Sequence, residues 1–312
     1  MGVEIGIIHY CEGAGHAMRM LAIAEELEER GFSTKITGGG PGEKFVELNR
    51  GSNYSPAEID IYELFNEKGV LWALAKLPSE FLDRLSDLRK WIRKEDPEVL
   101  LTDGPIGPIA AILERKKLYT LQHTDFHTPE SLTDKLFTYV YTRFLSIPSS
   151  RIFYPAIWDE ATPAWAEEVE PIAPKGEEMD LDFDILVVPT RITDETRTMV
   201  DSLEKDYRVK LVGSEDWEIQ PSLQPFIEEA DAVVCSGHTT IMEASVAGTP
   251  CVMVPHTSEQ IGVAKRLDGY KGFKKFSGDI NSDLKTLEKL EPRENGAKTV
   301  ADILYRDLSE IK

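Results

Sequence analysis

The sequence predicts an α/β protein of two doubly wound halves, each a parallel sheet flanked by helices, facing one another across a central cleft. Three observations predict it. Short apolar runs alternate with longer stretches of helical period along most of the chain, the pattern of parallel strands joined by crossover helices. The alternation breaks once, over 158–182, where Pro, Glu, Ala and Asp dominate, and then resumes. A length of 312 residues suits two ordinary domains. The expected division is 1–157 for the first domain, 158–182 for a linker and 183–312 for the second, with a last helix able to cross back to the first.

In the first half, strands are expected at Val3–Ile8, Ser33–Thr37, Ile59–Leu64, Val99–Thr102, Leu118–Gln122 and Arg151–Ala156. The first helix is expected over 16–30, with Met20, Leu21, Ile23, Ala24 and Leu27 on its apolar side and Gly31 as its stop. Further helices are expected over 79–94, ending before Pro97, and near 106–116 and 131–145. In the second half, strands fall at Ile185–Val188, Val209–Val212, Ala232–Cys235 and Cys251–Val254. Helices fall at 194–204, 239–247 and 259–267 and at the C-terminal end. Ligands of such sheets bind at the carboxyl ends of strands, which is where the polar motifs lie.

Composition excludes several classes. A formal net charge of −20 and a pI near 4.8 repel phosphate backbones, so no nucleic-acid partner is expected. The cysteines Cys11, Cys235 and Cys251 are odd in number and form no CxxC pair, which argues against a disulfide framework or a zinc site and for a reducing, cytoplasmic setting. No secretory leader and no membrane-spanning run are seen. The stretch Val70–Pro78, with Phe81 and Leu82, is apolar enough to dock on a membrane or a lipid acceptor, but a buried helix face is the stronger reading. Phe137–Phe144, with Tyr139, Tyr141 and Arg143, carries the same ambiguity. Peripheral membrane contact is the most that these stretches imply.

Strand Ala232–Cys235 leads into Ser236-Gly237-His238-Thr239-Thr240-Ile241-Met242-Glu243. Gly237 is expected to turn the chain tightly, and Thr239 and Thr240 to open a helix. Free N–H groups and the helix dipole make such a start an anion site, to which hydroxyls add donors. Glu243, one turn on, is suited to accept from ribose hydroxyls. The next strand leads into Pro255-His256-Thr257-Ser258-Glu259-Gln260, where Glu259 and Gln260 suit a polyhydroxylated ring. Taken singly, each of these residues is equally readable as a helix cap or a solvated acid.

Taken together, the run Gly237-x-Thr239-Thr240-x-x-Glu243, then Gly248-x-Pro250, Pro255 and Glu259-Gln260, resembles the donor-binding signature of GT-B glycosyltransferases, whose fold is two Rossmann-like domains. The spacing from Glu243 to Gln260 matches that of UDP-glycosyltransferases without a gap. The run is also similar to that of the bacterial enzyme that adds N-acetylglucosamine to the peptidoglycan lipid intermediate, and to archaeal glycosyltransferases of the superfamily. The resemblance implies that Thr239 and Thr240 contact the donor diphosphate, Glu243 the ribose, and Glu259 with Gln260 the sugar. Ser236, Gly237 and His238 belong to the same donor segment. Two departures stand out. Cys235 occupies a position where many relatives carry a phosphate-contacting His, a role not carried over to His238. The glycine turn expected after Ile185–Val188 is replaced by Pro189-Thr190-Arg191-Ile192-Thr193, in which Arg191 is a candidate charge for the diphosphate or a plain surface residue.

The N-terminal loop His9-Tyr10-Cys11-Glu12-Gly13-Ala14-Gly15-His16-Ala17-Met18-Arg19 fails the GxGxxG dinucleotide fingerprint at Met18. Its Gly-x-Gly-His-x-x-Arg run, followed by Leu21-Ala22 and Glu29-Arg30-Gly31, resembles the acceptor-side loop of the same glycosyltransferases. Gly13 and Gly15 permit close backbone approach at a helix start. His16 is the candidate general base, since an imidazole titrates near neutrality; a helix cap or an acceptor-phosphate ligand is the alternative. Asp103 matches the Asp that orients the basic His in plant UDP-glycosyltransferases, or else caps the next helix. His123, Asp125 and His127 have metal-ligand spacing but read better as a polar cleft wall.

The implied activity is inverting transfer of a hexose or N-acetylhexosamine from a UDP-sugar, as co-substrate, to an unknown acceptor, a lipid-linked one among the candidates. No metal and no cofactor are implied. Two other readings remain: an enzyme like UDP-N-acetylglucosamine 2-epimerase, and a non-catalytic sugar-nucleotide-binding subunit, which the altered Pro189–Thr193 loop favours.

Overall fold

The computed structural model describes residues 3–51, 54–59, 70–122, 146–158, 164–177 and 179–309, with positions 136, 139–140 and 142–144. Two all-parallel sheets organise them. The first contains β1 (Glu4–Ile8), β2 (Ser33–Thr37), β3 (Val99–Thr102), β4 (Lys117–Leu121), β5 (Arg151–Pro155) and β6 (Glu167–Val169), in the order β2-β1-β3-β4-β5-β6. The second contains β7 (Ile185–Val188), β8 (Val209–Leu211), β9 (Ala232–Cys235), β10 (Cys251–Met253) and β11 (Phe273–Lys275), in the order β11-β10-β9-β7-β8. Strand order reverses between β1 and β3 in one sheet and between β7 and β9 in the other. Chain leaving neighbouring strands there diverges to opposite faces, which opens a crevice at the carboxyl ends.

Both faces of each sheet are covered, as the unbroken apolar strands require. In β1, Ile5 and Ile7 turn to one face and Ile8 to the other. The first face packs against α1 (Ala14–Glu29) and α10 (Gly296–Ser309), through Met20, Ile23 and Leu27 of α1 and Val300 and Leu304 of α10. The other face receives α3 (Val70–Glu95) and α4 (Ile106–Glu114), through Leu88, Ile92 and Ala110. The short α2 (Glu43–Arg50) lies beside α1. Around the second sheet, α5 (Asp194–Leu203) and α9 (Ile280–Lys285) cover one face. The helices α6 (Gln224–Glu229), α7 (His238–Ala247) and α8 (Ser258–Leu267) cover the other. Gly31 ends α1 as the sequence predicts: it takes φ 85°, and its N–H donates to Glu28 O at 2.9 Å.

Several elements differ from expectation. Helix α3 begins at Val70 and runs through Pro78 rather than starting after it; a proline removes one backbone bond, which a long helix survives. The segment 158–182 is more than a linker, because Glu167–Val169 adds an edge strand to the first sheet. The strands Glu167–Val169 and Phe273–Lys275 are too short and too polar to show a period. The strand expected at Ile59–Leu64 lies, from residue 60 on, outside the described residues. Within 131–145, the described positions 136, 139–140 and 142–144 are helical.

The chain passes between the halves twice, and the two passages touch. Gly296 N–H donates to Pro171 O at 2.9 Å, and the Asn295 side chain both accepts from Ala173 N–H at 3.3 Å and donates to its carbonyl at 2.7 Å. Beyond this point α10 packs along α1. Arg151 and Tyr119 both donate to Asp307, at 2.7 and 3.1 Å, and Arg30 donates to Asp302 at 2.8 Å.

Candidate active site

The loops after β1 and β3 meet at the first switch point. Tyr10 N–H donates to Asp103 Oδ1 at 2.8 Å, and His16 Nδ1 lies 2.7 Å from Asp103 Oδ2. Burial alone would push the Asp103 carboxyl up. The charge and hydrogen bond of His16, the Arg19 guanidinium 3.8 Å away and the Tyr10 N–H outweigh it and hold the pKa below the ordinary value. An ionised Asp103 only accepts, so Nδ1 carries the proton and donates to it. That leaves the lone pair of His16 on Nε2. The His16 ring keeps a narrow opening, at 12% side-chain exposure, with the edge of Tyr10 against it, ring centroids 5.3 Å apart.

The second switch point carries the donor segment. Ile241 N–H is the first amide of α7 to bond back, to Gly237 O at 3.3 Å. The amides before it have no carbonyl within the helix. Gly237 caps α7 without a side chain, and Gly13 caps α1 in the same way. Contrary to expectation, Gly237 makes no special turn: its φ of −89° suits any residue, and a Cβ there would meet nothing. What the glycine provides is an unobstructed approach to the helix start. Gly15 is the close contact, since a Cβ on it would overlap Thr239 Oγ1. Helices α1 and α7 therefore meet nose to nose, with both positive ends turned to the cleft.

Behind this mouth, three loops are tied together. Thr190 N–H donates to Ser236 Oγ at 2.9 Å, and Thr190 Oγ1 lies 3.0 Å from the same oxygen. Gln260 Nε2 donates to Thr190 Oγ1 at 3.3 Å, while its Oε1 accepts from His256 and Thr257 N–H. The Pro189–Thr193 loop thus replaces a glycine turn by a hydroxyl bridge, and Thr193 caps α5 with Thr196. Arg191 is exposed on that loop.

The side chains of this segment are placed at different depths. Thr240 is buried in the first turn of α7, and Glu259 is half-buried in the first turn of α8. Burial and the facing charge of Glu12 raise the pKa of Glu259, while His16 and Arg19 across the cleft oppose the shift. Three of the residues expected at the donor have partners within the protein or are deeply buried. The Gln260 amide completes the capping box of α8 with Thr257. The buried His238 ring stacks on Trp158, with centroids 5.8 Å apart and planes 11° apart. Glu243 is 3% exposed, and burial pushes its carboxyl up to about 8 against the pull of Arg19. Its surroundings favour the protonated acid, which can donate as well as accept. Cys235 points into the core, its Sγ 3.3 Å from that of Cys251.

Arg19 received no role from its sequence context, yet it joins the two half-sites. It is 2% exposed, and its Nη1 donates to Thr239 Oγ1 at 2.7 Å while Nη2 lies 3.3 Å from His16 Nδ1. The signal was present, because residues three apart on a helix share a face. Trp158 is the other residue that sequence reading missed. It stands on His238, and the Arg266 guanidinium lies 3.9 Å from its ring centroid.

Among the described residues no three His, Cys, Asp or Glu side chains lie together as a metal site, and no helix is long and apolar enough to cross a membrane. His123, Asp125 and His127 lie outside the described residues, as do Phe137 and Tyr141 and the side chains of 70–78. Tyr139 and Arg143 pack on Trp165.

Residues 200–271, which contain the donor segment, match the glycosyltransferase family 28 C-terminal domain. No curated protein matches the chain. Among solved structures, the Streptomyces sp. SF2575 glycosyltransferase SsfS6, complexed with thymidine diphosphate, is similar over 97% of this chain and 99% of its own, with 13% identity and a TM-score of 0.64. Acinetobacter baumannii MurG is similar over 97% and 99%, with 16% identity and a TM-score of 0.59. The spinosyn rhamnosyltransferase SpnG, complexed with thymidine diphosphate, is similar over 98% and 95%, with 15% identity and a TM-score of 0.60. The likenesses extend over nearly the whole of each chain, and the fold is theirs.

Proposed function

We propose that this chain is a GT-B glycosyltransferase that moves a hexose or N-acetylhexosamine from a nucleoside-diphosphate donor to an acceptor hydroxyl, with inversion. One observation carries the reading: the His16–Asp103 pair opens onto the cleft beside the uncapped start of α7, where Gly15 meets Thr239. The donor diphosphate sits at that helix start, against Thr239 and Thr240 and the first-turn amides. His16 Nε2 takes the proton from the acceptor hydroxyl, and the freed oxygen forms the new bond to the anomeric carbon. The bond from that carbon to the diphosphate oxygen breaks, and its electron pair leaves with the nucleoside diphosphate. Asp103 stabilises the imidazolium. Glu243, protonated at the floor of the site, has a donor and an acceptor for the ribose, and Glu259 is nearest the sugar. Neither a metal nor a cofactor takes part in these steps.

The motif spacing favours UDP as the nucleotide. Two of the similar structures hold thymidine diphosphate, so the test uses both series. Calorimetry with UDP- and TDP-linked sugars should show binding, and no heat with any of them removes the donor assignment. His16→Ala should keep donor affinity and lose transfer; full transfer by that variant removes the base role. Donor incubated without acceptor should stay unchanged, whereas an isomeric sugar would identify an epimerase.

A further inference from the structure

We infer that Arg19 is a ligand of the donor diphosphate, supplied by the acceptor-side domain. The inference rests on the donor site proposed above. Arg19 stands at the one place where α1 touches the first turn of α7, the turn given to the diphosphate. Its Nη1 already donates into that turn, to Thr239 Oγ1 at 2.7 Å. The acceptor of that bond is a neutral hydroxyl. A phosphate oxygen arriving at the same turn is a charged acceptor, and charge-assisted bonds are about twice as strong as neutral ones. A guanidinium also offers a fork that a phosphate accepts in two places.

The surroundings favour the exchange. Asp103, at 3.8 Å from Nη2, is held by His16 at 2.7 Å and by the Tyr10 N–H at 2.8 Å. Glu243 and Glu259 also act on Arg19, but burial disfavours the ionised form of each. The loop after β7, where a phosphate-binding turn is usual, is occupied by its own hydroxyl bridge to Ser236. The guanidinium that bonds to the helix start comes from the other domain. It stands three residues from His16 on the same helix, so one rigid element carries both the base and the group that meets the leaving diphosphate.

The test separates the phosphate contact from simple packing. The intact protein and its Arg19→Met and Arg19→Lys variants are titrated with UDP and TDP by calorimetry, and with uridine and thymidine by saturation-transfer NMR. The expected result is diphosphate affinity weakened about tenfold or more in Arg19→Met and partly regained in Arg19→Lys, with nucleoside binding unchanged. Diphosphate binding by Arg19→Met as tight as that of the unaltered protein overturns the inference and leaves the donor site standing. Equal loss for diphosphate and nucleoside also overturns it, since that marks a structural role. Absence of any nucleotide binding by the unaltered protein overturns the donor site, and the inference with it. Should Arg19→Met fail to fold, the same comparison is read from Arg19→Lys.

Discussion

Asp103 and Glu243 are both buried carboxyls at the same cleft, and their surroundings drive them apart. Asp103 has His16, Arg19 and a backbone N–H to hold its charge; Glu243 has Arg19 alone against full burial. The first is built to remain an anion and the second to remain an acid. Asp103→Asn should preserve the contacts but let His16 adopt the wrong tautomer, which lowers kcat by roughly 10²- to 10⁴-fold with KM little changed; steady-state kinetics checks this. Glu243 has a sign that can be worked out. Its folded pKa, pushed up to about 8, lies above the ordinary glutamate value of 4.5. The folded state binds the extra proton between those values, so its contribution to stability is present below about 4.5 and is lost as pH rises toward 8. Glu243→Gln should remove that loss. Denaturant unfolding at pH 5 and pH 9 should show the wild type falling relative to the variant by a few kcal/mol. A constant difference across the range would place the carboxyl outside the core.

The helices that matter most are α1 and α7, and their contact is set by one missing side chain. Gly15→Ala has no room beside Thr239, so α1 and α7 must separate. The expected result is an order-of-magnitude loss of transfer with little loss of melting temperature, checked by parallel activity and thermal-unfolding measurements. The first glycine run was legible as a helix start; that its second glycine faces another domain was not, because Gly15 and Thr239 are far apart in sequence. The same limit hid Trp158 against His238. Strands with dense apolar runs, such as Val99–Thr102, Ile185–Val188 and Ala232–Cys235, were legible to the residue, since a strand buried on both faces needs an unbroken run. Glu167–Val169 was not, because an edge strand of three residues shows neither alternation nor a run. Gln260 shows the opposite case: Thr257-x-x-Gln260 is a capping-box pattern, legible as such, that the resemblance to a donor signature obscured.

At the scale of the molecule, a net charge of −20 sets the chain against itself. At the cleft, two helix starts and Arg19 make a local field of opposite sign. Raising salt from about 10 mM to about 150 mM shortens the screening length from roughly 30 to 8 Å and relieves the self-repulsion. The melting temperature should rise by a few degrees, read by calorimetry at fixed pH; a fall would mean that attractive pairs such as Arg151–Asp307 dominate instead. The two passages of the chain between the halves lie side by side, joined at Pro171–Ala173 and Asn295–Gly296. In the order of the chain, the half built on β7–β11 is an insert within the half built on β1–β6, entering and leaving through one doorway. Tyr154, Ala156, Ile157 and Trp158 also pack into the core of the β7–β11 half, with Trp158 on His238, so cuts at that doorway alone would take part of that core away. A short splice from residue 171 to residue 296 would reseal the remainder, with α10 still laid along α1.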